Sequence, residues 1–208
     1  ALAAHSDRPA GAKGITLTAL NPTVTESSLI YSAVSLTVNR AKRTAELTVQ
    51  APSGPQPSTP EDIQKAGDEF WALRAFRELD DTLLRLRVNE PEIGTVVIKT
   101  EGDRDAVLAI DRTLIAHQSD WLVREIIHFM KRTLKRLDLT ARSFFAFIEP
   151  GSAFAGSLFE LALAADRSYM FHDDNEENVI ALSPMNAGPL VMSNGLTRLE
   201  TRFLGMPE

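Results

Sequence analysis

Apolar and polar residues alternate with a period of two in two neighbouring runs. The first sets Val34, Leu36 and Val38 against Ser35, Thr37 and Asn39, and the second is built around Ala45, Leu47 and Val49. Such alternation buries one side of each strand, and the short stretch Arg40 to Arg43 between the runs predicts a β-hairpin. Residues 1–31, with Pro9, Gly11, Gly14 and Pro22, lack any such period and read as an N-terminal arm or linker, leaving 32–208 as one domain. A Pro/Gly/Ser loop from Pro52 to Pro57 runs into Ser58-Thr59-Pro60-Glu61-Asp62. Thr59 suits an N-cap, Pro60 the first helical position, and the acids the first turn. Beyond it, Ala72, Phe76, Leu79, Leu83 and Leu86 recur at steps of four and three, which predicts one face of a long amphipathic helix stopped by Pro91.

The second half changes period repeatedly. Thr95 to Thr100 is a compact apolar run bounded by Glu101-Gly102-Asp103, as expected of a buried parallel strand. Val123, Ile126, Ile127, Met130, Leu134 and Leu137 keep helical spacing, and the helix they predict is read as carrying both His117 and His128. Ser143 to Ile148 is another short buried strand, halted by Pro150 and Gly151. Residues 156–166 are expected to be helical, Ser168 to Phe171 and Val179 to Leu182 to be short strands, and Leu196 to Leu204 to be helical. The order β-β-α-β-α-β-α-β-β-α, without an internal repeat, predicts an α/β fold with a largely parallel sheet.

Composition narrows the possibilities. A hydrophobic content of 44% in 208 residues is enough to build a real core, so the chain is not disordered throughout. The formal charge of -6 argues against a nucleic-acid partner, which favours a basic stripe. The absence of Cys removes disulfides, thiolate metal sites and a cysteine nucleophile, and permits a cytoplasmic setting. No apolar stretch approaches the roughly 18 residues of a membrane span. Ala1-Leu2-Ala3-Ala4 lacks the basic region of a signal peptide. The missing initial Met, and Met206-Pro207-Glu208 following directly on an expected helix, suggest cuts in a longer chain at both ends.

Candidate chemistry concentrates in the segment from Phe147 to Glu160, which reads as strand, small-residue loop and helix start. Amides at a helix N-terminus are unsatisfied and lie at the positive end of the dipole, so they can hold an anion or a developing oxyanion. Glu160, one turn in, could carry protons in the same space, or equally sit on a hydrogen-bonded face beside an ordinary tight turn. Gly151 to Gly156 has phosphate-loop spacing, but Ser157-Leu158 stands where Lys and Ser/Thr are required. There is no Gly-x-Ser-x-Gly elbow. His172 to Glu177 is read as a solvated loop rather than a metal site, because its ligand types are consecutive and no second cluster accompanies them. His117 and His128 are too far apart for one facial site. Lys131, Arg132, Lys135 and Arg136 complement the end of their helix dipole.

The loop and helix from Gly151 through Glu160-Leu161-Ala162-Leu163-Ala164-Ala165-Asp166 resemble the second oxyanion motif of the crotonase (enoyl-CoA hydratase/isomerase) superfamily. Thr100-Glu101-Gly102-Asp103, Asn89 to Thr95, Arg8-Pro9-Ala10 and Ile148 to Met170 look more closely like the benzoyl-CoA-dihydrodiol lyases, a family with two crotonase-like halves, of which this chain is similar to the second. The resemblance implies a crotonase-like (ClpP/crotonase) spiral of ββα units, truncated at its C-terminus. It implies part of a lyase that opens the ring of epoxidised or dihydrodiol benzoyl-CoA in aerobic benzoate breakdown. It further implies an acyl-CoA substrate with no separate cofactor and no metal, a missing first half, and a homo-oligomer.

Carried over residue by residue, the family's second oxyanion amide falls on Ser157, its first near Val107 or Leu108, and its first catalytic glutamate on Glu160. Pro184 stands where the second glutamate is expected, and Ala106 to Asp111 matches the first oxyanion motif poorly. Asn194 to Leu199 resembles the family's structural Gly-x-x-x-x-Arg-Leu helix. Two alternatives stay open: a degenerate, non-catalytic half serving as scaffold or dimerisation domain, and another enoyl-CoA hydratase or isomerase.

Overall fold

The computed structural model describes residues 14–172 and 178–206. Seven strands form one sheet in chain order: β1 (Thr23–Val24), β2 (Ser28–Ile30), β3 (Val34–Asn39), β4 (Thr44–Gln50), β5 (Thr95–Glu101), β6 (Ser143–Ile148) and β7 (Arg167–Met170). The first four pair antiparallel, and β4 to β7 pair parallel. Each parallel step is bridged by helix: α1 (Pro60–Ala66) and α2 (Trp71–Asn89), then α3 (Arg104–Ala116) and α4 (Trp121–Asp138), then α5 (Gly156–Ala164). A short α6 (Arg198–Arg202) closes the described chain. The chain therefore advances along the sheet one helical crossover at a time, an α/β arrangement with a largely parallel second half, as the order of elements in the sequence predicts.

The hairpin forms where the alternation predicts it, with Leu36 opposite Leu47 and Val34 opposite Val49. Its turn needs a left-handed residue, and Arg43 takes φ 56. Residues 23–30, grouped with the arm in the sequence reading, instead extend the sheet as two short strands. Residues 1–13 of that arm lie outside the described part.

Two helical expectations and one strand change in detail. Thr59 caps α1 as predicted, with its side chain accepting from the Asp62 amide, but the long helix is interrupted. Gly67 at φ 58 ends α1, a 3-10 turn spans Gly67–Glu69, and Phe70 is extended before α2 starts. The helix read as carrying both His117 and His128 is two helices: His117 ends α3, and Asp120 caps α4 by accepting from the amides of Leu122 and Val123. Val179 to Leu182 is not a strand; within it Ala181 makes one isolated parallel bridge to Ala155.

The core lies between the sheet and the helices that cross one of its faces, with Leu47, Val96, Ile98, Ala146, Phe76, Leu83, Leu114 and Met130 fully buried. α5 is the most enclosed helix, every residue from Gly156 to Ala162 being buried. It packs against α3, α4, β5 and β6, so its N-terminus opens inward. The other sheet face carries Phe145 and Phe147, both meeting Tyr169 edge-on. Lys99 there bridges Glu46 and Glu149. Among the described residues no helix is long and apolar enough to cross a membrane.

Candidate functional site

Sequence and backbone agree on the loop that leads into α5. Gly151 at φ 84 lets the chain turn after Pro150, and the turn is closed by the Ser152 amide donating to the Glu149 carbonyl at 2.9 Å. The Ala153 amide then donates to Thr100 Oγ1 at 3.0 Å, and the Gly102 amide to the Gly151 carbonyl at 3.2 Å, so this loop is tied to the end of β5. Gly156, at φ 45, starts α5.

An α-helix leaves its first four amides without intrahelical partners, and these are the groups available to hold a substrate oxygen. In α5 all four are engaged. Gly156 donates to the Ala181 carbonyl at 2.9 Å, and Leu158 and Phe159 both donate to the Ala155 carbonyl at 2.9 and 3.2 Å. Ser157, the sequence-predicted oxyanion donor, gives its amide to Asp111 Oδ2 at 2.7 Å.

Asp111 comes from α3 and is itself fully buried. Ser183 Oγ donates to the same Oδ2 at 2.6 Å. Gly156 is required here for more than its backbone angle, since a Cβ at that position would overlap Asp111 Oδ2. Asp111 Oδ1 and Ser157 Oγ are buried without a hydrogen-bond partner. Burial pushes the Asp111 carboxyl up to about 6, against the opposing pull of its hydrogen bonds from Ser183 and Ser157.

Glu160 is placed one turn deeper and also points into protein. Asn186 Nδ2 donates to its Oε1 and Arg198 Nη1 to its Oε2, each at 2.7 Å. Arg198 is shared: its Nε and Nη2 reach the two carboxylate oxygens of Asp138 at 3.0 and 2.6 Å. Its Nη1 also donates to the Leu190 carbonyl. Burial raises the Glu160 carboxyl above its ordinary value, and the nearby Asp138 adds to this, while Asn186 and Arg198 oppose it.

Leu108 falls elsewhere. The loop after β5 is only Gly102 and Asp103, so Leu108 is the fifth residue of α3. Its amide therefore enters the intrahelical ladder and cannot face the Ser157 amide as a second donor. Val107 donates to the Asp103 carbonyl at 3.4 Å. The structure thus brings Glu160 and Ser157 together on one buried helix and leaves Leu108 apart.

Pro184 has a local role. It begins a 3-10 turn (Pro184–Ala187) capped by Ser183, and Asn186 in that turn bonds the Gly156 carbonyl as well as Glu160. The proline pre-sets the turn that carries Asn186 to Glu160.

Sequence reasoning missed Asp111, Ser183, Asn186 and Asp138. A signal existed for one of them: Asp111 interrupts the apolar stripe formed by Val107, Ile110 and Leu114 on α3. A carboxylate on the buried face of a helix needs donors, and these had to come from another element. Most of the run from His172 to Glu177 lies outside the described residues, and among those described no cluster of His, Cys, Asp or Glu could hold a metal. A mostly apolar groove of about 620 Å³ near the end of the described chain is lined by Leu182, Leu196, Leu199, Glu200, Phe203, Leu204 and Met206; Ser157 and Glu160 do not line it.

No family model matches the sequence. The chain is 49% identical over 203 residues, 98% of its length, to benzoyl-CoA-dihydrodiol lyase of Aromatoleum evansii, of which it spans 37%. Its path is also similar to solved structures of an enoyl-CoA hydratase from Bacillus halodurans, with TM-score 0.43, 16% identity and coverage of 67% of this chain and 50% of that one. An enoyl-CoA hydratase/isomerase from Marinobacter aquaeolei has TM-score 0.42, 13% identity and coverage of 66% and 48%.

Proposed function

Because this chain is related over nearly its whole length to a segment of a benzoyl-CoA-dihydrodiol lyase, we propose that it is part of a CoA-thioester lyase and serves there as an architectural, non-catalytic unit. The parent activity in this reading is opening of the ring of an epoxidised or dihydrodiol benzoyl-CoA during aerobic benzoate degradation, in the cytoplasm. The groups that polarise the thioester and move protons then belong to polypeptide outside this segment, within an assembly that includes the other crotonase-like half and further copies.

One observation carries the architectural reading: the candidate acid/base is already spent. Both oxygens of Glu160 are bonded to Asn186 and Arg198, and only 1% of its side chain is exposed. A general acid or base has to reach the proton it moves, directly or through one water. Releasing Glu160 would leave Arg198 with one buried partner fewer and the glutamate uncompensated, at a cost of several kcal/mol. A catalytic reading, with Glu160 moving protons and the amides of Ser157 and Leu108 as oxyanion donors, needs a different arrangement of the same residues.

Calorimetric titration of the 208-residue chain with benzoyl-CoA tests this, with free CoA and the Glu160→Gln variant alongside. The expected result is no thioester-dependent heat and no difference between wild type and Glu160→Gln. Saturable binding of benzoyl-CoA that exceeds binding of CoA, and that weakens in Glu160→Gln, would return the site to catalysis.

A further inference from the structure

A groove of about 530 Å³ is lined by the N-terminal arm, α2 and α4, and shares no residue with the α5 site. Its size is that of a pocket for a small organic molecule. Spacing on α4 sorts its lining. Leu122, Ile126 and Phe129, at steps of four and three, extend the helix's core-facing stripe and, with Leu73 of α2, give the groove an apolar floor. Trp121, Glu125, His128 and Arg132, at steps of four, three and four, form the exposed row beside it.

Arg132 gives the groove a chemical preference. Its guanidinium carbon stands 4.7 Å from the centre of the Phe129 ring, and among the described residues it has neither a hydrogen bond nor an ion pair. Arg136, one turn further on, is paired with Asp80 at 2.6 Å. The helix dipole does not account for Arg132 either: α4 runs to Asp138, so Arg132 stands before the last turn, to which that effect is confined. The indole N–H of Trp121 also lacks an acceptor among the described residues, whereas that of Trp71 donates to the Gln50 carbonyl at 3.0 Å. Glu125 lies 4.0 Å from Arg124, and about 10 Å of helix separates it from Arg132. The groove is therefore polarised, with an unpaired cation at one end and an indole at the other.

We propose that this groove binds an aryl carboxylate, with its ring on the floor between Trp121 and Phe129 and its carboxylate on the guanidinium of Arg132. A guanidinium lying on an aromatic ring keeps its N–H donors free at the edge, in the planar fork that matches a carboxylate. Aromatic walls suit a flat ring, and burying that ring adds the apolar contribution that a small anion lacks. The site goes beyond the architectural role proposed above. Glu160 and Ser157 take no part in it, and a benzoyl thioester has no free carboxylate for Arg132, so either reading can fail without the other.

The probe is 2-naphthoate, added to the isotopically labelled 208-residue chain and read by amide chemical shifts. The controls are 2-naphthamide, which has the shape without the charge, and acetate, which has the charge without the ring. Saturable shifts are expected at residues 15–17 and 121–132, with a Kd for 2-naphthoate on the order of 1 mM and roughly tenfold weaker binding of either control. Arg132→Met and Trp121→Ala change exposed side chains. They should keep the fold and weaken 2-naphthoate about tenfold and about fivefold. Equal affinity for acid and amide, indifference to Arg132→Met, shifts confined to other residues, or no saturable shift would each overturn the proposal. So would two further outcomes: binding that appears only after residues 1–13 are deleted gives the groove to that segment, and a dimer broken by Trp121→Ala in the absence of 2-naphthoate binding gives it to a second copy.

Discussion

Arg198 and Glu160 form an ion pair of 2.7 Å in which 2% and 1% of the two side chains are exposed. Arg198 also holds both oxygens of Asp138, so one guanidinium balances two carboxylates that α4 and α5 bring to the same place. Planar, forked donors suit this task, and lysine could not reproduce it. The residue that resemblance marks as catalytic is thus part of the joint that fastens α6 to the core.

Replacing Arg198 should be far more damaging than replacing Glu160. Arg198→Met leaves the buried Glu160 and the partly exposed Asp138 without their cation and is expected to cost about 3–5 kcal/mol. Glu160→Gln keeps the shape and one good acceptor, and should cost on the order of 1–2 kcal/mol. Urea unfolding of both variants checks the order; a larger loss for Glu160→Gln would contradict the joint described here.

The buried Asp111 carboxyl makes stability depend on pH in a particular direction. Its folded value of about 6 lies above its ordinary 3.8. The stabilisation it provides is therefore fully present below pH 3.8 and lost as pH rises through about 6. Asp111→Asn, which cannot ionise and can donate to Ser157 Oγ, should flatten this part of the profile. At pH 7 it should be more stable than wild type by up to ~3 kcal/mol. Chemical denaturation at pH 4.5, 6 and 7.5 distinguishes this from a loss of stability at every pH.

Gly156 and Asp111 should behave as one unit. Gly156→Ala combines a left-handed backbone with overlap on Asp111 Oδ2, and is expected to lose at least about 3 kcal/mol. Removing the carboxylate in Gly156→Ala/Asp111→Ala relieves the overlap, so a double-mutant cycle should show favourable coupling above ~1 kcal/mol. Strict additivity would mean that backbone strain alone explains the glycine.

Restoring a glutamate where the resemblance expects one should not create an enzyme. Pro184→Glu puts an acid in the first turn of a capped 3-10 segment, which changes stability by only about 1 kcal/mol. Because Glu160 and the α5 amides stay engaged, hydration of an enoyl-CoA thioester should remain at the background rate. Turnover that appears in Pro184→Glu and disappears with Glu160→Gln would refute the architectural reading.

The α/β class, the hairpin, the parallel strands at 95–101 and 143–148, and the capped start at Thr59 were all written in local signals. Period-two alternation, apolar runs bounded by Gly and Pro, and N-cap chemistry act over a few residues, so a single sequence carries them. The strand-loop-helix that sets Ser157 and Glu160 on one helix was legible for the same reason. What those two residues do was not, because each is defined by partners far along the chain: Asp111 lies 46 residues from Ser157, and Arg198 lies 38 from Glu160. A helix start with free amides and one with every amide satisfied can have the same local sequence. Only the packing of α3, α6 and the turn at Pro184 around α5 decides between them, since burying a carboxylate requires donors that the fold, and not the neighbouring residues, supplies.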